Sequence, residues 1–274
     1  MPAPNTITAD KLARLIGTPA APALVDLRRD PAGRRIPGAL PYLADAITDW
    51  GRPLAGNSVV VIDEDGGTAC QGIAAWLRSE GVAAETLEGG HVGWTAAGLP
   101  LLTLDRLPPR DTEGRTRWVT RARPKVDRIA CPWLIRRFVD PLARFLFVPS
   151  AEVTAVAGQF GAAPFDIAQE GVFWSHRGEC CTFDLMVEEF GLAGIPALAH
   201  LARIVRGADT ARPDIVPEAS GLLALSLGLS RLYADDIEQL EAGMLLYDAL
   251  YRWCRDARAE THDWTAHAPR EARA

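Results

Sequence analysis

Two short apolar runs in the first hundred residues, 23–27 (ALVDL) and Ser58–Ile62 (SVVVI), constrain this chain most. Each is bounded by turn residues, and neither alternates apolar with polar as a half-exposed strand would. Continuous runs of this kind belong to strands buried on both faces. Helical spacing fills the intervals, at residues 11–16 and 72–80. Strands and helices that alternate in this way predict a parallel sheet flanked by helices, an α/β domain.

A polar, proline-bearing stretch, LDRLPPRDTEG, closes that region. It divides the 274 residues into an expected first domain of residues 1–104, a linker of 105–115 and a second domain of 116–274. The second domain is expected to be mainly α-helical with a few short strands, at Arg144–Val148 and 172–176. Its last long helix carries Ile237, Leu240, Met244, Tyr247, Tyr251 and Cys254 at steps of three and four, one apolar stripe. Beyond about residue 260 no period remains, and a frayed tail is expected.

Ordered motifs in the first domain resemble a rhodanese domain: Val25-Asp26-Leu27-Arg28, Ile36-Pro37-Gly38-Ala39, Leu87-Glu88-Gly89-Gly90, Trp94 and Gly98-Leu99-Pro100. The resemblance covers roughly residues 5–103. In that family a strand ends in the catalytic cysteine, at the mouth of a loop whose backbone amides stabilise the thiolate and the persulfide. Here the strand Val59-Val60-Val61-Ile62 is followed by Asp63, which cannot accept a sulfane sulfur. Cys70 lies seven residues on, near the start of the next helix. Either the helix dipole acidifies it or it is a small packing residue. The domain therefore reads as a binding or scaffolding module, with sulfur transfer through Cys70 as an alternative.

The second domain resembles the C-terminal domain of the ChrB family of chromate-resistance proteins, over about residues 116–256. The motifs are Trp118-Val119-Thr120, the run from Arg123 through Pro124-Lys125-Val126-Asp127-Arg128-Ile129-Ala130-Cys131-Pro132-Trp133 to Phe138, Pro164-Phe165-Asp166, His176 with Cys181-Thr182-Phe183-Asp184, residues 204–209, and Tyr247-Asp248-Ala249-Leu250-Tyr251. The resemblance implies a role in tolerance of chromate or oxidative stress. Some members carry a DNA-binding N-terminal region and act as regulators; a rhodanese-like domain stands there in this chain.

Among the polar residues, His176, Asp184, Asp209 and Asp248 form a candidate metal set. Asp248 lies on or beside the apolar stripe, where a carboxylate must be paired, protonated or metal-bound. A salt bridge to an arginine would satisfy it equally. His176 shares a face with Val172 and Trp174, as a hydrogen-bonded core histidine also would. Asp184 stands at an apparent helix start, favoured there by the dipole alone, and Arg206 could neutralise Asp209. One imidazole with several carboxylates suits iron, manganese or zinc better than calcium or magnesium. Cys180 and Cys181 add two thiols. Pro132 at a first helical position would set Cys131 at an N-cap near Arg128, Arg136 and Arg137. That environment favours thiolate, unless Cys131 is a buried small hydrophobe.

Charge gives the partner expectations. The chain carries −6, yet residues 115–137 hold eight basic residues against the single acid Asp127. Cys131 and Arg128 are candidate catalytic residues, and Lys125, Arg136 and Arg137 candidate contacts for a small oxyanion or another redox-active small molecule. A basic linker paired with acidic neighbours is the plainer reading. Residues 115–123 alternate as an extended segment with no recognition helix, which weighs against base-specific nucleic-acid binding. Asp10 and Lys11 interrupt any leader-like apolar core, no run is long enough for a membrane span, and the cytoplasm is the expected address. The function expected is chromate or oxidative-stress resistance through a metal-binding C-terminal domain. A non-enzymatic regulator of a resistance operon is the alternative from another class.

Overall fold

The computed structural model describes residues 5–29 and 33–261. The first part runs β1 (Thr6–Ile7), α1 (Ala9–Leu15), β2 (Ala23–Asp26), β3 (Arg34–Arg35), β4 (Ala39–Pro41), α2 (Ile47–Trp50), β5 (Ser58–Ile62), α3 (Thr68–Ser79), β6 (Ala83–Leu87), α4 (Gly90–Ala96) and β7 (Leu102–Thr103). Five of these strands form an all-parallel sheet in the order β1-β6-β5-β2-β4. The two apolar runs pair at its centre, with Leu24 opposite Val60 and Val25 opposite Val61. Side chains alternate across a strand, so β5 feeds two cores. Val59 and Val61 pack with Cys70, Ala74 and Leu77 of α3. Val60 and Ile62 join a larger cluster that continues into the second part of the chain through Trp118, Trp133, Phe138 and Phe190.

The second part runs β8 (Arg117–Arg121), α5 (Asp127–Leu134), β9 (Arg144–Val148), α6 (Val153–Phe160), β10 (Ala163–Pro164), α7 (Thr182–Glu189), α8 (Pro196–Asp209), α9 (Glu218–Leu232) and α10 (Asp236–Arg252). It is mainly helical, but β8 organises it. A three-stranded parallel sheet has the order β10-β8-β9. The chain leaves β8 for β9 on one side and returns as β10 on the other, so the strand order reverses at β8. In open α/β sheets ligands gather outside the carboxyl ends of strands at such a reversal.

Residues 172–176 do not form the expected strand. A single bridge joins Phe165 to Trp174, and the chain then turns outward. Residues 105–115 hold neither helix nor strand; Asp111 ties them by accepting from Arg115 and Arg117, and Arg110 reaches the buried Asp140 at 3.1 Å. On the last helix Leu240, Met244, Tyr247, Tyr251 and Cys254 are buried as the stripe requires, whereas Ile237 is exposed. The crossing with α5 is close: a Cβ on Gly243 would stand 2.5 Å from Cγ2 of Ile129. The tail expected after about residue 260 lies, from 262 on, outside the described residues. No described helix is long and apolar enough to cross a membrane.

Candidate metal centre beyond the ends of two parallel strands

Asp127, Asp166, His176 and Asp209 each offer one ligand atom, and these four atoms lie within 4.8 Å of one another. They come from four separate segments, each brought in by an identifiable local device.

Asp127 opens α5, delivered there by Val126. That residue has φ 39° and ψ −98°, costly for a β-branched side chain. Tertiary bonds hold it: its N–H donates to Ser226 Oγ at 2.9 Å, and its carbonyl accepts the Tyr247 hydroxyl at 3.0 Å. Asp166 follows β10 with φ 50°. Its N–H donates to the Trp174 carbonyl at 2.8 Å, which brings the chain at His176 back beside it. Asp209 is the last residue of α8.

His176 Nε2 stands 3.1 Å from Asp209 Oδ2, 3.3 Å from Asp166 Oδ1 and 3.7 Å from Asp127 Oδ2. Nitrogen and oxygen ligands sit about 2.0–2.2 Å from a first-row metal, so neighbouring ligand atoms around it are about 3.0–3.5 Å apart. The Asp209 and Asp166 distances fall in that range, and Asp127, at 3.7 Å, would have to draw in to join them.

Burial is graded across the cluster. The Asp127 side chain is 0% exposed and that of His176 41%, so the site is closed on one side and open on the other. Asp127 Oδ2 accepts the Thr182 and Phe183 amides at the start of α7, at 2.7 and 3.3 Å, where the helix dipole favours negative charge. Its Oδ1 is buried with no hydrogen-bond partner. An unmatched carboxylate oxygen in the interior costs kilocalories. Burial pushes the Asp127 carboxyl well above its usual range, and the charges of Asp209 and Asp166 add to this. The hydrogen-bonded carboxylates of Asp166 and Asp209 push His176 up as well, to about 10. Without metal the imidazolium is the counter-cation inside the cluster, with Arg121 and Arg128 at its edge on Asp166; a bound metal would take the place of the imidazole proton.

Of the residues expected from sequence, His176 and Asp209 enter the cluster, and Asp184 and Asp248 do not. Asp184 Oδ2 accepts the Cys181 amide at 3.0 Å, and its carboxylate is held by Arg206 in a bidentate pair at 3.0 and 2.8 Å. Arg206 thus neutralises Asp184, not Asp209. Asp248 points inward as its helical position demands, but Arg137 grips it bidentately at 2.8 and 2.7 Å and the Trp133 indole donates at 2.8 Å. His176 is no core histidine.

Cys131 is corrected too. The helix begins at Asp127, so Pro132 lies inside it and Cys131 is no N-cap. The thiol is fully buried, and burial with the nearby Asp127 pushes it well above its usual range, the opposite of thiolate character. Arg136 bonds Glu241 at 2.6 Å and lies over the Phe145 ring. With Arg137 on Asp248, both guanidiniums are held in ion pairs outside the cluster; Lys125 is exposed and has no place in the cluster either. Arg128 does stand beside the site, its Nε 3.2 Å from Asp166 Oδ2. Asp127 and Asp166 are the members that the sequence reading missed as ligands.

In the first part, Asp63 directly follows β5 and satisfies its own loop. Oδ1 accepts the Gly66 amide at 2.6 Å and Oδ2 the Cys70 amide at 3.0 Å. Gly90, at φ +55°, lets the 63–67 loop sit against it; a Cβ there would meet Gly66 N at 2.6 Å and Asp63 O at 2.8 Å. Cys70 is indeed near the start of α3, but it is fully buried, donates to the Val61 carbonyl at 3.0 Å and is pushed up to about 12, by burial first and by Asp63 next.

The chain therefore combines a parallel α/β domain, lacking a cysteine at the end of β5, with a mainly helical domain that gathers four metal-type ligands at a strand-order reversal. Residues 118–254, half of the chain, match the family described as ChrB, C-terminal domain, and the chain belongs to that family. Protein ChrB of Cupriavidus metallidurans is 36% identical over 149 residues, which are 54% of this chain and 43% of that protein. The match thus spans less than half of that relative's length. Solved structures similar to the first part include a rhodanese-like domain protein from Staphylococcus aureus, 25% identical with a TM-score of 0.30, covering 33% of this chain and 90% of that one. Another is a rhodanese-related protein from Thermoplasma volcanium, 19% identical with a TM-score of 0.33, covering 36% and 97%.

Proposed function

We propose that the second domain holds one divalent transition metal on Asp127, Asp166, His176 and Asp209, and serves chromate or oxidative-stress resistance by presenting it to a redox-active small molecule. The carrying observation is the convergence of one imidazole and three carboxylates around the fully buried Asp127, whose Oδ1 has no hydrogen-bond partner. The donor set supports iron, manganese or zinc, because one borderline imidazole nitrogen accompanies three hard carboxylates.

The metal would supply a Lewis acid. The residues do the rest. Asp127 is fixed by the α7 amides and closes the inner side, while His176 and Asp209 leave the outer side accessible, their side chains 41% and 18% exposed. The test is elemental analysis of full-length protein purified without added metal, and again after loading with manganese, iron(II) or zinc. The parent should hold one metal per chain, and Asp127→Asn and His176→Ala should lose it. Asp184→Asn and Asp248→Asn should keep it. A parent that stays metal-free and whose melting temperature ignores all three ions would overturn the proposal.

A further inference from the structure

The basic segment that dominates the charge pattern is largely spent on internal pairs. Arg115 and Arg117 hold Asp111, Arg136 holds Glu241, and Arg137 holds Asp248. Arg123 caps the end of α9 by donating to the Ser230, Tyr233 and Ala234 carbonyls. Arg121 and Arg128 differ. Both lean on one carboxylate oxygen, Asp166 Oδ2, at 3.6 and 3.2 Å. Arg128 also donates from Nη1 to the Arg121 and Ala122 carbonyls. The Nε groups of both arginines are buried without a hydrogen-bond partner. Two guanidiniums therefore share one acid, and that acid is a member of the metal cluster.

Charge then decides what the occupied site must attract. Three carboxylates and a divalent cation sum to −1, and the two guanidiniums raise the total to +1. Asp166 faces the cluster with Oδ1 and the arginines with Oδ2, so a metal on Oδ1 draws off part of the charge that Oδ2 offers Arg121 and Arg128. A cationic pair left unmatched beside a metal draws an anion, and planar guanidinium donors suit oxygen anions best. Access agrees with this. The Arg121 side chain is 42% exposed and that of His176 41%, so both border the open side. Arg128, 15% exposed, lies deeper.

Resting on the metal reading above, we infer that the loaded centre binds a small oxyanion, with one oxygen facing the metal and others accepting from Arg121 and Arg128. The anion site is made by the metal: without it, Asp166 keeps its full charge for both arginines.

The experiment uses full-length protein loaded with cobalt(II), whose visible spectrum reports changes at the ion, titrated with phosphate and with sulfate; metal content is measured for every sample. Saturable spectral change is expected, weakened about tenfold or more in Arg121→Gln and in Arg128→Lys at unchanged metal content, a loss of about 1.4 kcal/mol. Metal-free protein should show no anion uptake by calorimetry. Full metal content with no spectral response, or equal affinity in parent and both variants, overturns the inference and leaves the metal reading intact. Failure of the parent to take up cobalt, manganese, iron(II) or zinc overturns both.

Discussion

Asp63 and Asp127 stand in comparable places, just past strands of the two parallel sheets, and both receive two backbone amides. They differ in what remains. The amides of Gly66 and Cys70 reach different oxygens of Asp63, so its carboxylate is satisfied by its own loop. The amides of Thr182 and Phe183 both reach Oδ2 of Asp127, the oxygen that faces His176, and Oδ1 is left buried without a hydrogen-bond partner. A satisfied carboxylate is a structural element that closes a site. An unsatisfied buried one carries a cost that a proton or a bound cation removes.

Asp248 extends the comparison, as a third buried carboxylate satisfied by Arg137 and Trp133, and it carries the largest expected effect. Asp248→Ala would strand a partly buried guanidinium and an indole N–H, and should cost about 3–5 kcal/mol in denaturant unfolding. Metal content should not change in the fraction that remains folded. Asp63→Ala should cost less, about 1–3 kcal/mol, because two loop amides lose acceptors. It should leave metal content untouched; a lost metal would erase the distinction between the two sites. Asp127→Asn should behave differently again. In metal-free protein it removes a buried charge repelled by Asp166 and Asp209, so stability should stay within about 1 kcal/mol of the parent or rise. Stabilisation by saturating metal, about 2.7 kcal/mol at a hundred times Kd, should vanish. The smallest effect is expected at Cys70. Its thiol is pushed up to about 12, so native protein should resist alkylation there at pH 8. Thiosulfate:cyanide sulfurtransferase activity should stay at background in parent and Cys70→Ala alike, and activity lost on that substitution would restore the cysteine as a nucleophile.

The apolar runs that became β2 and β5 were legible because burial on both faces leaves continuous hydrophobic sequence. The α10 stripe was legible because 3.6-residue periodicity survives in five of six positions. Ile237 fails because the first turn lies at the rim, where packing no longer dictates exposure. At the site, His176 and Asp209 could be selected as residue types, and the inward direction of Asp248 followed from its helix. Its partner did not, since Arg137 lies 111 residues away. Asp127 was hidden by its neighbours: in a run of arginines one acid reads as charge balance. Its role depends on the Val126 backbone at φ 39° and on amides 55 and 56 residues away. Asp166 was hidden by brevity, because a two-residue strand leaves no periodicity to read. The Cys131 expectation failed on one boundary: the helix starts at Asp127, so Pro132 marks no helix start.

The most direct test locates the ion. Crystals of full-length protein soaked in manganese should show one strong anomalous peak within about 2.4 Å of both the Asp127 carboxylate and His176 Nε2, with Asp166 and Asp209 completing the set. The peak should be missing in Asp127→Asn. A peak at Asp63, at Asp248 or at surface carboxylates alone, with the cluster empty at saturating manganese, would contradict the account.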